Sequence, residues 1–238
     1  MNCNPIKIFI VFFLFMNFAG NCHAQISITG SLPYNYNQDF LNYNGSSGGL
    51  PSGWTVSFTG TATYNGQGTG TSLTGGVWSY GLSGNSERAA GALRSGTPGN
   101  ITHTVKFTNN TGSTITDLTI SYDFEQWRYA NTSGFTVTGT DAISSQSLSG
   151  LNQNGTASGT NGSCTVTNKQ ISLSSLSISN GQTFGISWLT TDDASNDNGI
   201  AIDNFSLTAS SIHPMQPLPH LRFPHWIYFV IALFVWLI

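Results

Sequence analysis

The chain has 238 residues, of which only 7% are charged and 12% are aromatic, and its formal net charge is −3. Because Lys and Arg are so few, there is no basic stripe, and the composition excludes a nucleic-acid interface. The aromatic and β-branched residues supply enough apolar surface to offset chain entropy, so the composition also argues against disorder. The length suits one domain with a sizeable core.

The first 24 residues have the three parts of a secretory signal peptide. Lys7 gives the positive start, residues 8–18 form the apolar stretch, and Cys22-His23-Ala24 forms the cleavage site. We therefore predict a mature chain that starts at Gln25 and is secreted or displayed at the cell surface. Cys164 is then the one cysteine left in the mature chain, so no internal disulfide holds the fold.

Residues 25–210 show period-2 alternation in short runs separated by Gly and Asn clusters. Residues 101–107 alternate, residues 109–112 (NNTG) turn the chain, and residues 118–124 alternate again. We interpret these two runs as an antiparallel pair. Without helical periodicity, the pattern predicts an all-β fold, an antiparallel two-sheet sandwich of jelly-roll type. Further predicted strands are 54–58, 77–80, 89–94, 135–137, 171–178, 184–189 and 199–208.

The last predicted strand contains an irregularity. Its apolar residues are Ile200 and Ile202, then Phe205 and Leu207, so the apolar face changes phase at residues 203–204. A one-residue slip would turn the core face outward, so we predict a β-bulge at this point. Because bulges often redirect a side chain beside a site, Asp203 is the side chain of interest.

Three segments resemble a widespread bacterial secreted β-sandwich domain found ahead of PEP-CTERM-type or other surface-sorting tails. They are residues 87–93 (ERAAGAL), 120–128 (ISYDFEQWR), and 191–193 (TDD) with 199–207 (GIAIDNFSL). End motifs at 39–40 (DF), 50–54 (LPSGW) and 201–204 (AIDN) also resemble MAM and cleaved-adhesin domains. That resemblance implies a concanavalin-like jelly roll whose first and last strands lie together.

An oxygen-rich loop suggests a metal ion. Asp193 and Asp197 lie in a Gly-bounded acidic stretch that Asp203 follows, and such hard ligands suit Ca²⁺. The jelly-roll resemblance adds Asp39 as a remote ligand. The alternative is a solvated turn between two strands.

The two glutamates of the chain, Glu87 and Glu125, raise the possibility of a paired-carboxylate glycosidase. Three arginines lie beside them in sequence and make ion pairing the simpler role: Arg88, Arg94 and Arg128. His103 is the one histidine between the signal and the tail, it lies on the apolar face of its strand, and no nucleophile elbow accompanies it. We predict no catalytic residue.

Aromatic side chains could form a stacking platform for sugar rings. Trp78, Trp127 and Tyr129 are the candidates, and the alternative is that such rings fill the core of the sandwich.

The C-terminal part changes composition abruptly. Residues 211–225 form a Pro-rich linker, and residues 226–238 form an uninterrupted apolar run about 20 Å long as a helix, short of a hydrocarbon core of roughly 30 Å. A short membrane anchor, an incomplete PEP-CTERM-like sorting tail and a truncated reading frame are the three interpretations.

These observations favour an exported, non-catalytic binding or adhesion module whose ligand is a glycan or a surface polymer. One alternative is a structural envelope protein anchored by residues 226–238, and another is a carbohydrate-active hydrolase. The sequence leaves the oligomeric state open.

Overall fold

The structure, a computed structural model, describes residues 25–94, 96–130, 133–190 and 197–211. The predicted signal peptide, linker and apolar tail lie outside these residues. Thirteen strands and one 3-10 turn (Ser149–Leu151) make up the described part: β1 (Ile26–Ile28), β2 (Tyr34–Gln38), β3 (Trp54–Phe58), β4 (Tyr64–Gly68), β5 (Gly76–Tyr80), β6 (Ala89–Leu93), β7 (Ile101–Asn109), β8 (Asp117–Arg128), β9 (Gly134–Asp141), β10 (Gln153–Asn154), β11 (Thr165–Leu173), β12 (Thr183–Thr190) and β13 (Gly199–Ser210). No helix in this part is long and apolar enough to cross a membrane.

The strands form two sheets, as the all-β prediction requires. The six-stranded sheet has the order β1-β7-β12-β9-β10, with β3 also paired to β7. The seven-stranded sheet has the order β11-β8-β13-β6-β5-β4, with β2 also paired to β13. Pairing is antiparallel except for β1 with β7 and β4 with β5. The chain therefore folds as a two-sheet β-sandwich.

The core between the sheets is built around aromatic rings. The Trp54 and Trp188 rings stack with centroids 5.5 Å apart, and Phe205 meets both of them edge-on. Phe107 and Phe184 stack at 5.3 Å across paired strands β7 and β12. These rings come from both sheets, so one apolar core joins the two layers.

The predicted pairing of residues 101–107 with 118–124 is wrong. β7 lies in the six-stranded sheet between β12 and the strands β1 and β3, whereas β8 lies in the seven-stranded sheet between β11 and β13. The segment between them crosses from one layer to the other. Both strands alternate correctly because each has one face on the same core, so alternation identifies the buried face but not the partner strand.

The predicted bulge is confirmed. The pairing of β13 with β8 shifts register between Asp203 and Ser206, and Asn204 has a positive φ of 45°. On the other side of β13, residues 199–202 pair with β6 and residues 205–209 pair with β2. The bulge therefore lies where one neighbour of β13 ends and the next begins, and this position brings Asp203 close to the start of β6.

Candidate functional site

The outer face of the seven-stranded sheet carries the functional candidates. Along β8 the side chains of Tyr122 and Phe124 enter the core, so Asp123, Glu125 and Trp127 lie on the outer face. On β13, Ala201 is on the same face. Acidic and aromatic residues from separate strands meet there.

Three carboxylates come together at the bulge. One oxygen each of Glu87, Glu125 and Asp203 lies within 4.8 Å of the other two. Glu125 comes from β8, Asp203 from the bulge in β13, and Glu87 from the turn just before β6. Asp203 and Glu125 are 2% and 7% exposed, whereas Glu87 is exposed. The group is thus closed on the sheet side and open at Glu87.

Burial and crowding favour the protonated forms of the two inner acids. Burial is the largest cause that raises the pKa of Asp203, to about 8, and the charges of Glu125 and Glu87 act in the same direction, opposed by the backbone N–H of Asn204. The pKa of Glu125 is also raised, chiefly by burial, and a hydrogen bond from Trp127 opposes the rise. Raised pKa values of buried carboxyl groups occur both at functional sites and in clusters of acids with a structural role.

The neighbouring donors are mostly engaged elsewhere. The Trp127 Nε1–H donates to Glu125 Oε2 at 2.7 Å. The guanidinium of Arg88, which the sequence suggested as an ion-pair partner, donates instead to the Ser79 hydroxyl at 2.8 Å and to backbone carbonyls, including that of Leu82 at 3.1 Å. The buried Arg88 side chain therefore stabilises the backbone around β5 through these hydrogen bonds.

The predicted aromatic platform is buried. Trp78, Tyr80 and Trp127 form a continuous stack across the outer face, with successive centroids 6.2 Å apart and rings inclined by only 17° and 12°. Trp78 is 8% and Trp127 3% exposed, so these rings pack against each other rather than offering open faces. Gly91 allows the stack, because a Cβ there would overlap the Tyr80 ring.

Tyr129 is the most accessible of the three predicted ligand-binding aromatics, and it is half-buried. Its hydroxyl is hydrogen-bonded to Thr165, and its ring lies over Gly159. In the neighbouring loop, the backbone N–H of Gly162 donates a hydrogen bond to the Trp127 carbonyl at 3.1 Å. These loops cover the aromatic end of the face.

The other half of the outer face is polar and open. It comprises twelve side chains on four adjacent strands, all exposed or half-buried, which we call the polar face: Asn35, Asn37 and Asp39 by β2; Asn204, Ser206 and Thr208 on β13; Thr119, Ser121 and Asp123 on β8; and Asn168, Gln170 and Ser172 on β11. Several bond across strands, including Thr208 to Asn35 at 2.8 Å and Asn204 to Asp123 at 2.9 Å. The polar face is therefore a pre-ordered array of amides, hydroxyls and two carboxylates.

A cleft of about 350 Å³ opens at the margin of the polar face. Asn37, Gln38, Asp39 and Asn204 line it, together with Phe205. The accessible side chains of the cleft are thus amides and a carboxylate, since the Phe205 side chain is fully buried in the core, and the volume falls within the usual range of ligand sites.

Among the described residues, the predicted calcium ligands Asp39, Asp197 and Asp203 do not form one group of acids. β2, which leads to Asp39, pairs with the last strand, as the end-motif resemblance implies. Asp39 is exposed, and its Oδ1 accepts the N–H of Leu41 at 3.1 Å. Asp197 is buried, and Asp193 lies outside the described residues. Among the described acids, those grouped with Asp203 are Glu87 and Glu125.

Two further candidates behave as packed residues. His103 is fully buried in the core, where burial lowers its pKa to about 4, which agrees with its position on the apolar face of its strand. Cys164 packs against the aromatic stack, and burial raises the pKa of its thiol, so this thiol is not an activated nucleophile.

Comparison with known proteins gives structural likeness only. No known protein-family model matches the chain, and no curated protein matches it. The chain is similar to the CBM22-1–GH10 modules of endo-1,4-β-D-xylanase 10B from Clostridium thermocellum, complexed with xylohexaose, at 11% identity and a TM-score of 0.40 over 78% of this chain. It spans only 30% of that protein.

Two other solved structures match over nearly their whole length. A cleaved adhesin domain of Lys-gingipain from Porphyromonas gingivalis shares 13% identity, with a TM-score of 0.40 over 73% of this chain and 96% of that one. A cyclase from Fischerella sp. shares 15% identity, with a TM-score of 0.40 over 77% of this chain and all of that one. Likeness at this level carries no role over to this chain, so function has to be argued from the site itself.

Proposed function

We propose that this protein is a non-catalytic binding module for a neutral glycan or a similar hydroxyl-rich surface polymer. The observation that carries the proposal is the polar face, an open array across four strands of ten amide and hydroxyl side chains and the two carboxylates of Asp39 and Asp123. No Lys or Arg side chain and no large apolar side chain belongs to it. Such a surface disfavours an anionic or an apolar ligand, and most of its hydrogen-bonding groups match an uncharged, hydroxyl-rich one.

Hydroxyl groups of a sugar both donate and accept hydrogen bonds, and so do amide and hydroxyl side chains. Neighbouring strands place these side chains about 4.8 Å apart, and alternate residues repeat at roughly 6.8 Å along each strand. An extended polymer lying across the strands would meet a regular series of partners. The cleft lined by Asn37 and Asn204 supports the proposal, because its amide groups offer a place to anchor one sugar unit.

Affinity electrophoresis of the full chain in gels containing neutral or acidic polysaccharides tests this function. We expect retardation by at least one neutral polysaccharide. Because one neutral hydrogen bond is worth about 1 kcal/mol, Asn37→Ala should weaken binding roughly fivefold. Thr136→Ala is the matched control, since Thr136 is an exposed residue of β9 in the other sheet. No retardation by any polysaccharide, or equal weakening by both variants, would contradict the proposal.

A hydrolase is the second candidate, and the carboxylate group of Glu87, Glu125 and Asp203 favours it. Retaining glycosidases hold two carboxyls about 5 to 5.5 Å apart and raise the pKa of the acid. The same polysaccharides, incubated with the protein, should be assayed for new reducing ends. Release of reducing ends by the wild-type protein that is lost in Glu125→Gln would show that the protein is a hydrolase and not a non-catalytic binding module.

A further inference from the structure

The carboxylate group at the bulge combines three acids from three separate parts of the chain. Glu87, Glu125 and Asp203 each contribute an oxygen within 4.8 Å of the other two. Two of these side chains are buried against the sheet, and the third, Glu87, lies on the solvent side, where the group is open. Three carboxylates in this volume cannot all be ionised unless a cation lies between them, and without one the inner acids hold protons.

A second observation indicates that a ligand belongs there. Asp203 is 98% buried from solvent, with 2% exposure, and within the described residues no donor reaches its Oδ1. Buried carboxylate oxygens normally have a partner, because desolvation without one is costly. This oxygen is held in a group whose other members are also acceptors.

The side-chain donors around the group do not reach Asp203 Oδ1. Trp127 Nε1–H satisfies Glu125 Oε2 at 2.7 Å. The amides of Asn168 and Asn204 both donate to Asp123, at 3.0 and 2.9 Å. Arg88 donates to Ser79 and to carbonyls. Asp203 Oδ1 is therefore left for a proton shared with a neighbouring carboxyl group or for a bound cation.

We propose that Glu87, Glu125 and Asp203 form a binding site for a hard divalent cation, with Ca²⁺ as the best match. Ca²⁺ binds oxygen at 2.3 to 2.6 Å, so any two of its ligands lie within about 5 Å of each other. The three carboxylate oxygens meet that condition. Water completes the coordination from the side of Glu87, where the group is open, and the all-oxygen set disfavours Zn²⁺.

This site differs from the one suggested by the sequence, with which it shares only Asp203. It fastens β8 and β13 to the turn before β6, at the point where β13 exchanges one neighbour for another. It also stands independently of glycan binding, because its ligands come from the carboxylate group and not from the polar face.

Terbium luminescence tests the site in the full-length protein. Tb³⁺ occupies Ca²⁺ sites and emits when a nearby tryptophan is excited, and Trp127 is hydrogen-bonded to the ligand Glu125. We expect EDTA-treated protein to sensitise Tb³⁺ emission and Ca²⁺ to compete it away. Ca²⁺ should also raise the melting temperature. Glu87→Gln, Glu125→Gln and Asp203→Asn should each bind Tb³⁺ at least about tenfold more weakly.

Two control variants show whether the signals come from the proposed ligands and from Trp127. Asp193→Asn removes an acid of the loop favoured by the sequence and should leave both signals intact. Trp127→Phe should abolish most sensitised emission while Ca²⁺ still raises the melting temperature. Because Glu87 is exposed, its variant tests the site even if the buried variants fail to fold. Absence of sensitised emission, or its loss in Asp193→Asn with retention in Glu87→Gln, would overturn the proposal.

Discussion

At the scale of single residues, burial decides what each titratable group does. His103 lies opposite Val56 and Trp188 on the neighbouring strands and is fully enclosed in the core. Burial holds its pKa near 4, below the usual 6.5, because the charged ring would lose its hydration. The imidazole is therefore a neutral packing element in the folded state.

This burial predicts a specific acid sensitivity. Below about pH 6.5 the unfolded chain takes up a proton at His103 that the folded chain refuses until about pH 4. The contribution of this residue to stability is full above pH 6.5 and is lost as the pH falls, by about 2 kcal/mol at pH 5. Urea unfolding at pH 7 and pH 5 measures the loss.

His103→Leu serves as the control for the pH effect, because carboxyl groups also titrate in this range. The variant should lose less free energy of unfolding between pH 7 and pH 5 than the wild type does. An equal loss in both proteins would show that His103 takes no part in the acid response.

At the scale of elements, the bulge in β13 positions the carboxylate group. Asn204 has a φ of 45°, a left-handed conformation that Asn tolerates and β-branched residues do not. Its side chain also donates to Asp123 at 2.9 Å. The residue thus fixes both the backbone of the bulge and the polar face beside it.

Asn204→Val should therefore lower the free energy of unfolding by about 2 to 3 kcal/mol, from backbone strain and the lost hydrogen bond together. Asn204→Gly loses the hydrogen bond but keeps the backbone conformation, so it should cost only about 1 kcal/mol. Chemical denaturation compares the two. If the valine variant is no less stable than the glycine variant, the left-handed backbone conformation at residue 204 does not limit which side chain the bulge accepts.

The elements also show which predictions succeed. Strands with regular alternation, such as β3 and β12, were predicted to within a residue or so at each end, because one buried face leaves a clear pattern. β2 (YNYNQ) and β4 (YNGQG) were missed, because their Tyr, Asn, Gly and Gln residues are typical of loops as well. Their pairing with β13 and β5 makes them strands.

At the scale of the whole molecule, one pair of strands links the two apolar clusters. Ile200 and Ile202 of β13 enter the core between the sheets, while Ala201 packs with the aromatic stack on the outer face. β8 does the same with Phe124 and Trp127. Neither cluster can be exposed without disrupting strands that hold the other.

We therefore expect a single cooperative unfolding transition. Among the six tryptophans of the chain, Trp127→Phe gives more weight to the core tryptophans Trp54 and Trp188, and Trp188→Phe gives more weight to Trp78 and Trp127 of the outer stack. Within each variant, the fluorescence midpoint in urea should coincide with the midpoint from far-UV circular dichroism. Separate midpoints would indicate that the outer stack and its loops unfold on their own.

The sequence alone determined the all-β class, the faces of the regular strands and the position of the bulge, because alternation records which side chains leave water. It also singled out Asp203, from a change of phase in four apolar residues. These features are local, and they follow from the geometry of a single strand with one buried face.

Only the tertiary structure decided which strands pair and which distant acids meet. The exchange of partners at β13 brings Glu87 to Glu125, 38 residues further along the chain, and to Asp203, 116 residues further along. The same packing buries Trp78 and Trp127. From the sequence alone, these tryptophans fit a sugar-binding platform as well as they fit a core. Such contacts depend on the mutual burial of whole sheets, and no local pattern in one strand records the identity of its neighbour.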